Sequence, residues 1–288
     1  MKINEFIKQS SALFIYILLS IVLTYPLIFE INTSLPDNLG DPLLNTWILA
    51  WDVHKIVEFD ITGFFNANIF YPHKNTLAYS EHMIGSAIFA LPVIVFFKNP
   101  ILAHNVILFI GFSLSGFGMY LLAYYLTASR PASFCAGLIF AFFPWRFGHI
   151  GHLQAQVAQW IPLTFLYLHK FIDNGKNRHL FLFTLFFILQ FLSNGYYAMF
   201  LSFFVSFIFI REFYKKGYSD RPFLYKTGLF FLISAIFILP LFYPYIKVKH
   251  EMGFTRSVGE AVMYSADILS YLAAPYFNRP WGGITKIF

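Results

Sequence analysis

Charged residues are scarce in this chain. Asp, Glu, Lys and Arg together make up 12% of its 288 residues, about half the share found in soluble domains. So few charges cannot cover the surface of a water-exposed globule of this size, and that class is excluded. Cysteine is nearly absent as well. The one thiol, Cys135, cannot form a disulfide within the chain and is no basis for a thiolate metal site; its apolar neighbourhood predicts a small packing residue. Segments of about ten residues with alternating polarity do not recur, so a membrane β-barrel is not indicated. There is no internal repeat, and the only compositional bias is towards phenylalanine.

What is present fits a lipid solvent. Hydrophobic residues account for 58% of the chain, and Phe alone for 39 positions. The fold class expected is all-α, a polytopic integral membrane protein with about seven transmembrane helices. A span needs about 20 mostly apolar residues, and the candidates are 11–29, 101–126, 132–145, 156–172, 180–195, 196–212 and 223–245. The first run is followed by Thr24, Tyr25, Pro26 and then Glu30 rather than by a small-residue cleavage site, and is read as an uncleaved span. The run 83–97 is short and contains Pro92, which suits an interfacial or re-entrant helix. If it does not cross, the basic loops at 127–131, 173–179 and 211–222 share one side with Lys2 and Lys8. The positive-inside rule then puts the N-terminus in the cytoplasm of a multi-pass cell-membrane protein. The net charge of +6 is used up in this way, so no nucleic-acid partner is expected; the partner is the bilayer.

The whole chain, 1–288, is expected to form one transmembrane domain with two long outer segments, 30–100 and 246–288. Residues 41–60 have amphipathic spacing, with Leu43, Leu44, Trp47, Trp51 and Val53 apolar and Asp41, Asn45, Asp52, His54 and Lys55 polar. This predicts a helix lying on the membrane surface. A second surface helix is expected over 264–272.

The polar residues that could carry chemistry gather outside. Asp41 follows Gly40 at the start of the surface helix. There a carboxylate caps the helix or serves as a base or metal ligand at the membrane face; the residues alone favour the cap. Glu81 and His82 precede the short helix. They suit cation binding or acid–base work, although such a pair is more often a polar helix start. The segment Pro144-Trp145-Arg146-Phe147-Gly148-His149-Ile150-Gly151-His152-Leu153-Gln154 puts Arg146 at an outer mouth where a lipid-linked phosphate would lie. His149 and His152 share a face if helical. Interfacial anchoring accounts for Trp145 and Arg146, but not for two histidines and Gln154. Tyr196 and Tyr197, at the tight outer turn after 193–195, are candidates to line a groove. Asp267, in the outer tail, is a further binding candidate, with simple solvation favoured. Within the spans the notable polar residues are His104, Asn105 and Gln190, and no buried carboxylate is expected.

Together these features resemble the GT-C class of membrane glycosyltransferases. The likeness is one of layout: an inward N-terminus, one span, a long outer loop with an early acidic residue, surface helices, and many short-looped spans. The phrases Gly40-Asp41, Trp47-Ile48-Leu49-Ala50-Trp51, Phe70-Tyr71-Pro72-His73, Tyr79-Ser80-Glu81-His82 and Phe143-Pro144-Trp145-Arg146 look like an uncharacterised bacterial and archaeal branch of it. The resemblance implies transfer of a sugar from a polyprenyl-phosphate carrier to an acceptor at the outer face, with Asp41 as base or as ligand of a divalent cation such as Mg or Mn. Glu81, His82, Arg146, His149, His152, Gln154, Tyr196, Tyr197 and Asp267 would bind substrate. Two features depart from the class. Asp41 is followed by Pro42 where protein mannosyltransferases carry an acidic pair. Members also continue with more spans, so the chain is expected to be incomplete at Phe288. The alternative is a non-enzymatic transporter, or an assembly subunit for lipid-linked polysaccharide.

Overall fold

The computed structural model describes residues 2–216, 220–255, 257–263, 265–268 and 270. It divides into two units, Met1–Tyr245 and Ile246–Phe288, each considered by itself. Among the described residues every regular element is helical. In order they are α1 (Lys2–Leu23), α2 (Asp41–Val57), α3 (Ile84–Phe97), α4 (Pro100–Thr127), α5 (Arg130–Ala141), α6 (Pro144–Gly148), α7 (Leu153–Gln156), α8 (Trp160–Asn174), α9 (Asn177–Ser193), α10 (Gly195–Lys216), α11 (Arg221–Met252) and α12 (Val258–Met263). The surface helix expected over 264–272 falls largely outside the described residues.

Local chemistry sets the boundaries. Proline opens α2, α4, α5 and α6, where its missing N–H costs nothing. The Asn99 side chain caps α4 by accepting from the Leu102 amide at 3.0 Å. Gly175 closes α8 at φ 64°, a left-handed turn that glycine adopts without a Cβ clash.

Among the described residues three helices, α4, α10 and α11, are long and apolar enough to cross a membrane. The spans expected at 132–145, 156–172 and 180–195 fall on helices of 12, 15 and 17 residues. At 1.5 Å per residue the 12-residue α5 reaches only about 18 Å, short of a hydrocarbon core of about 30 Å. The most apolar stretch of α4 is 56% buried, but those of α10 and α11 only 28% and 11%. The latter two present apolar surface outward, as lipid-facing helices do. Helix α4 is the central post, packed against α1, α5 and α8. Small residues allow the close approach: the Tyr16 ring of α1 lies where a side chain on Gly116 or Gly137 would stand, and its hydroxyl donates to the Phe134 carbonyl at 3.0 Å. Cys135 is exposed rather than packed, because α5 turns Ser133 and Gly137 inward instead.

The long loop is tied down by α4. The Asn105 amide donates to the carbonyls of Ile31 and Ser34 at 2.8 Å each, and Asn99 donates to that of Asn32. Gln190 donates to the Val157 carbonyl at 3.1 Å. The polar residues within apolar helices thus hold backbone in place. Helix α2 differs from an amphipathic surface helix. Its buried face mixes Ile48, Leu49 and Val53 with Asn45 and Asp52, while Leu43 and Leu44 are exposed. The expectation of no buried carboxylate is also corrected. Asp52 is 0% exposed, and Glu212 is buried beside Arg211, whose Nη2 lies 2.7 Å from its Oε1.

Candidate functional site: a histidine hairpin on the first turn of α2, and a buried carboxyl group behind it

The segment 144–156 turns back on itself, and two side chains hold it closed. The Arg146 guanidinium donates from Nε to Gln156 Oε1 at 3.2 Å and from Nη2 to the Gln156 carbonyl. The Gln156 amide answers by donating to the carbonyls of Arg146 (3.1 Å) and His149 (2.7 Å). Arg146 also lies over the Phe112 ring of α4 at 4.7 Å. At 5% exposure its donors are committed to the fold. The expected phosphate ligand is therefore a structural clamp. The sequence shows an arginine in a loop but not the glutamine ten positions on that claims it.

The clamp presents both histidines outward. His149 stacks on Trp145 at 4.2 Å, and its Nδ1 lies 2.9 Å from the Trp145 carbonyl. A carbonyl only accepts, so that nitrogen carries the proton. His152 Nδ1 lies 3.3 Å from Asp41 Oδ2, with the side chains 42% and 56% exposed. The first turn of α2 rests on this hairpin. Asn45 donates to the Gly151 carbonyl at 3.2 Å, and a Cβ on Gly151 would stand 2.9 Å from Asp37 Oδ2. Asp41 makes no capping bond, and the N-cap position of α2 is Gly40. Its carboxylate turns to the imidazole instead. A carboxylate this close to Nδ1 favours the proton on that nitrogen and so leaves the lone pair on Nε2, the arrangement of a general base.

A second group lies deeper. Asp52 Oδ2 accepts from the Met83 amide at 2.7 Å, and Oδ1 has no partner. Burial pushes this carboxyl up to about 8, against the opposing pull of the Met83 amide. Burial raises Glu81 too, against the opposing pull of the Gly195 backbone; its Oε2 is unpartnered. The His82 amide donates to the Tyr245 hydroxyl at 3.1 Å. Its ring packs among Phe65, Phe191 and Tyr245, at 6.2, 6.4 and 6.2 Å, and burial lowers it to about 4. Sequence reading missed Asp52, Tyr245 and Gln156. One signal was available for Asp52: it stands eleven positions after Asp41, about three helical turns, hence on the same face.

The remaining candidates are divided. The Tyr197 hydroxyl donates to the Ala155 carbonyl at 2.9 Å, and Asn194 donates to that of Gln154 at 3.1 Å. The turn between α9 and α10 is thereby latched to the hairpin. The Gln154 side-chain oxygen is buried without a partner, and Tyr196 is exposed. Asp267 belongs to the second unit, where it accepts from the Ser270 amide and hydroxyl at 2.8 and 2.9 Å. Among the described residues no group of three or more His, Cys, Asp or Glu side chains is arranged to hold a metal ion; Asp41 reaches one imidazole.

A family model matches residues 87–268: the 6-pyruvoyl-tetrahydropterin synthase related domain, a membrane protein. No curated protein and no solved structure matches the chain. The resemblance to GT-C glycosyltransferases is corrected by this match, which is to a different family. The likeness rested on an order of spans and loops that many membrane proteins share, and on short aromatic phrases with little discriminating power.

Proposed function

We propose, from the premise that this chain belongs to the 6-pyruvoyl-tetrahydropterin synthase related family of membrane proteins, that it is a membrane-bound transferase with Asp41 and His152 as its acid–base pair. Membership carries the membrane character. The observation that supports the reading is the contact of Asp41 Oδ2 with His152 Nδ1, exposed on both sides at the hairpin that closes against α2.

The substrate proposed is a sugar on a polyprenyl-phosphate carrier, delivered within the bilayer to the outer face of a cell membrane, with the N-terminus inside. The acceptor hydroxyl gives its proton to His152 Nε2 as its oxygen bonds to the anomeric carbon. The bond from that carbon to the phosphate oxygen breaks, and the polyprenyl phosphate leaves with the electron pair. Asp41 holds the imidazole in the right tautomer and stabilises the imidazolium. With Arg146 committed inside the fold, the half-exposed imidazole of His149 is the group offered to the departing phosphate at this mouth. The rival reading, a transporter or an assembly subunit, draws on the polar atoms of Asp52, Glu81 and His82 that are buried without a partner, since polar groups of this kind line ion and substrate pathways in membrane proteins.

Reconstitution of the full chain with a panel of labelled polyprenyl-phosphate hexoses and membrane acceptors separates the two. Donor consumption that disappears in His152→Gln supports the transferase. A panel left intact by the unaltered protein, or consumed equally by His152→Gln, rejects it.

A further inference from the structure

The stretch that leaves the C-terminal end of α2 turns its charges inward and its apolar side chains outward. Glu58 and Asp60 alternate there with Val57, Phe59 and Ile61. Lys55, in the last turn of α2, gathers both carboxylates. Its Nζ lies 3.4 Å from Glu58 Oε2 and 2.8 Å from Asp60 Oδ2, and its side chain is only 12% exposed. His54 Nε2 lies 3.3 Å from the same Glu58 oxygen. Asp60 Oδ1 accepts from the Gly63 amide at 2.8 Å and from the Thr62 hydroxyl at 3.3 Å, which fixes the turn. Phe59 and Ile61 are left 89% and 87% exposed, with Val57 exposed beside them. Phe59 also takes φ 55°, in the left-handed region that strains a bulky residue and suits Gly or Asn. A turn facing only water gains nothing from a phenyl ring at such a position.

The turn also lies near a lipid-facing helix. Phe65, four residues after Ile61, packs edge-on against Tyr245 of α11 at 5.6 Å, and four residues of chain reach at most about 14 Å. Among the described residues α11 is the candidate span with the smallest share of its apolar stretch inside the protein. We propose that residues 57–61 form an apolar prong seated in the membrane–water interface beside α11, with the phospholipid bilayer as its partner. Phe59 and Ile61 suit the boundary between headgroups and acyl chains, where aromatic and aliphatic side chains bury against lipid. A bare carboxylate would oppose entry into that poorly solvating layer. Here each carboxylate already holds a basic partner, so the apolar side chains enter without dragging an unpaired charge behind them. The prong ties the C-terminal end of α2 to the level of the headgroups.

The experiment uses the full chain in phosphatidylcholine nanodiscs, whose two faces are both open to water. The exposed thiol of Cys135 is removed by Cys135→Ser. In that background Phe59→Cys and Ile61→Cys are each labelled with the polarity-sensitive dye NBD; both positions are exposed, so the dye displaces no packed side chain. Lys176→Cys, in the exposed turn between α8 and α9, is the aqueous reference. Iodide quenches dye in water, and a doxyl-labelled phosphatidylcholine quenches dye in lipid. Dye at the two prong positions should emit to the blue of the reference. It should be quenched several-fold more by the doxyl lipid than the reference is, and several-fold less by iodide. Iodide quenching equal to that of the reference would overturn the proposal and leave the prong to a soluble partner. Protection from both quenchers would overturn it too, because it marks cover by protein, such as a second copy of the chain.

Discussion

Asp41 Oδ2 and His152 Nδ1 lie 3.3 Å apart, joining the first turn of α2 to a hairpin from the far side of α4 in sequence. The contact is exposed, so as a stability element it contributes little, roughly 0–1 kcal/mol. Its value lies in orienting one ring nitrogen.

That orientation makes a kinetic prediction. A general base contributes about 10²–10⁴-fold. Asp41→Asn and His152→Gln should each lower the transfer rate within that range, with membrane insertion unchanged. Because the two act as a unit, the double variant should be no slower than the worse single one. Losses that multiply would show that the residues work separately.

Arg146 should behave as a clamp. Replacement by Lys removes the planar fork and leaves Gln156 Oε1 or its carbonyl unpaired in the interior. Thermal unfolding in detergent should register a loss on the order of 2–4 kcal/mol. Affinity of the remaining folded protein for a polyprenyl-phosphate analogue should be unchanged. A stable Arg146→Lys protein that has lost that affinity would restore the arginine to the binding surface.

Gly111 of α4 faces the same clamp. A Cβ there would stand 2.6 Å from the Gln156 carbonyl oxygen, a backbone atom that cannot swing aside. Gly111→Ala should cost about 1–3 kcal/mol by forcing α4 and the hairpin apart. Gly148→Ala is the control, since nothing lies within 4 Å of that position. Equal melting temperatures for the two variants would contradict the packing described.

The buried group gives stability a pH signature. Asp52 is raised from 3.8 to about 8 and Glu81 is raised, while His82 is lowered from 6.5 to about 4. Tyr245 faces them from α11. Between pH 4 and 6.5 the native carboxyls hold more protons than the unfolded chain and native His82 holds fewer, so their effects oppose. Above 6.5 the histidine is neutral in both states and only the carboxyls remain. Native Asp52 keeps a proton that the unfolded chain has lost, so stability falls as pH rises from 6.5 to 8, by at most about 1.4 kcal/mol per unit for that group. Asp52→Asn should flatten this decline. A decline of the same slope in Asp52→Asn would assign it to another group.

The membrane character and the helices were legible because they depend on local composition: apolar runs, prolines at helix starts, and Gly175 at an end. Asp41, His149 and His152 could be singled out because their residue types are out of place in an apolar chain. Partnership was not legible. Asp52 was grouped with His54 and Lys55 as a wet face because hydropathy treats a carboxylate as solvated; only the docking of Met83 takes it out of water. Arg146 was read by its position in a loop, whereas its environment is set by Gln156 and Phe112. The proposed donor rested on a family likeness carried by loose aromatic phrases, and such phrases do not separate one membrane family from another.

Helix α2 carries Asp41 at its first residue and Asp52 near its last turn, on one face. A helix of 17 residues is a rod of about 25 Å that bends little. The Met83 contact towards one end and the His152 contact at the other are therefore carried by a single stiff element.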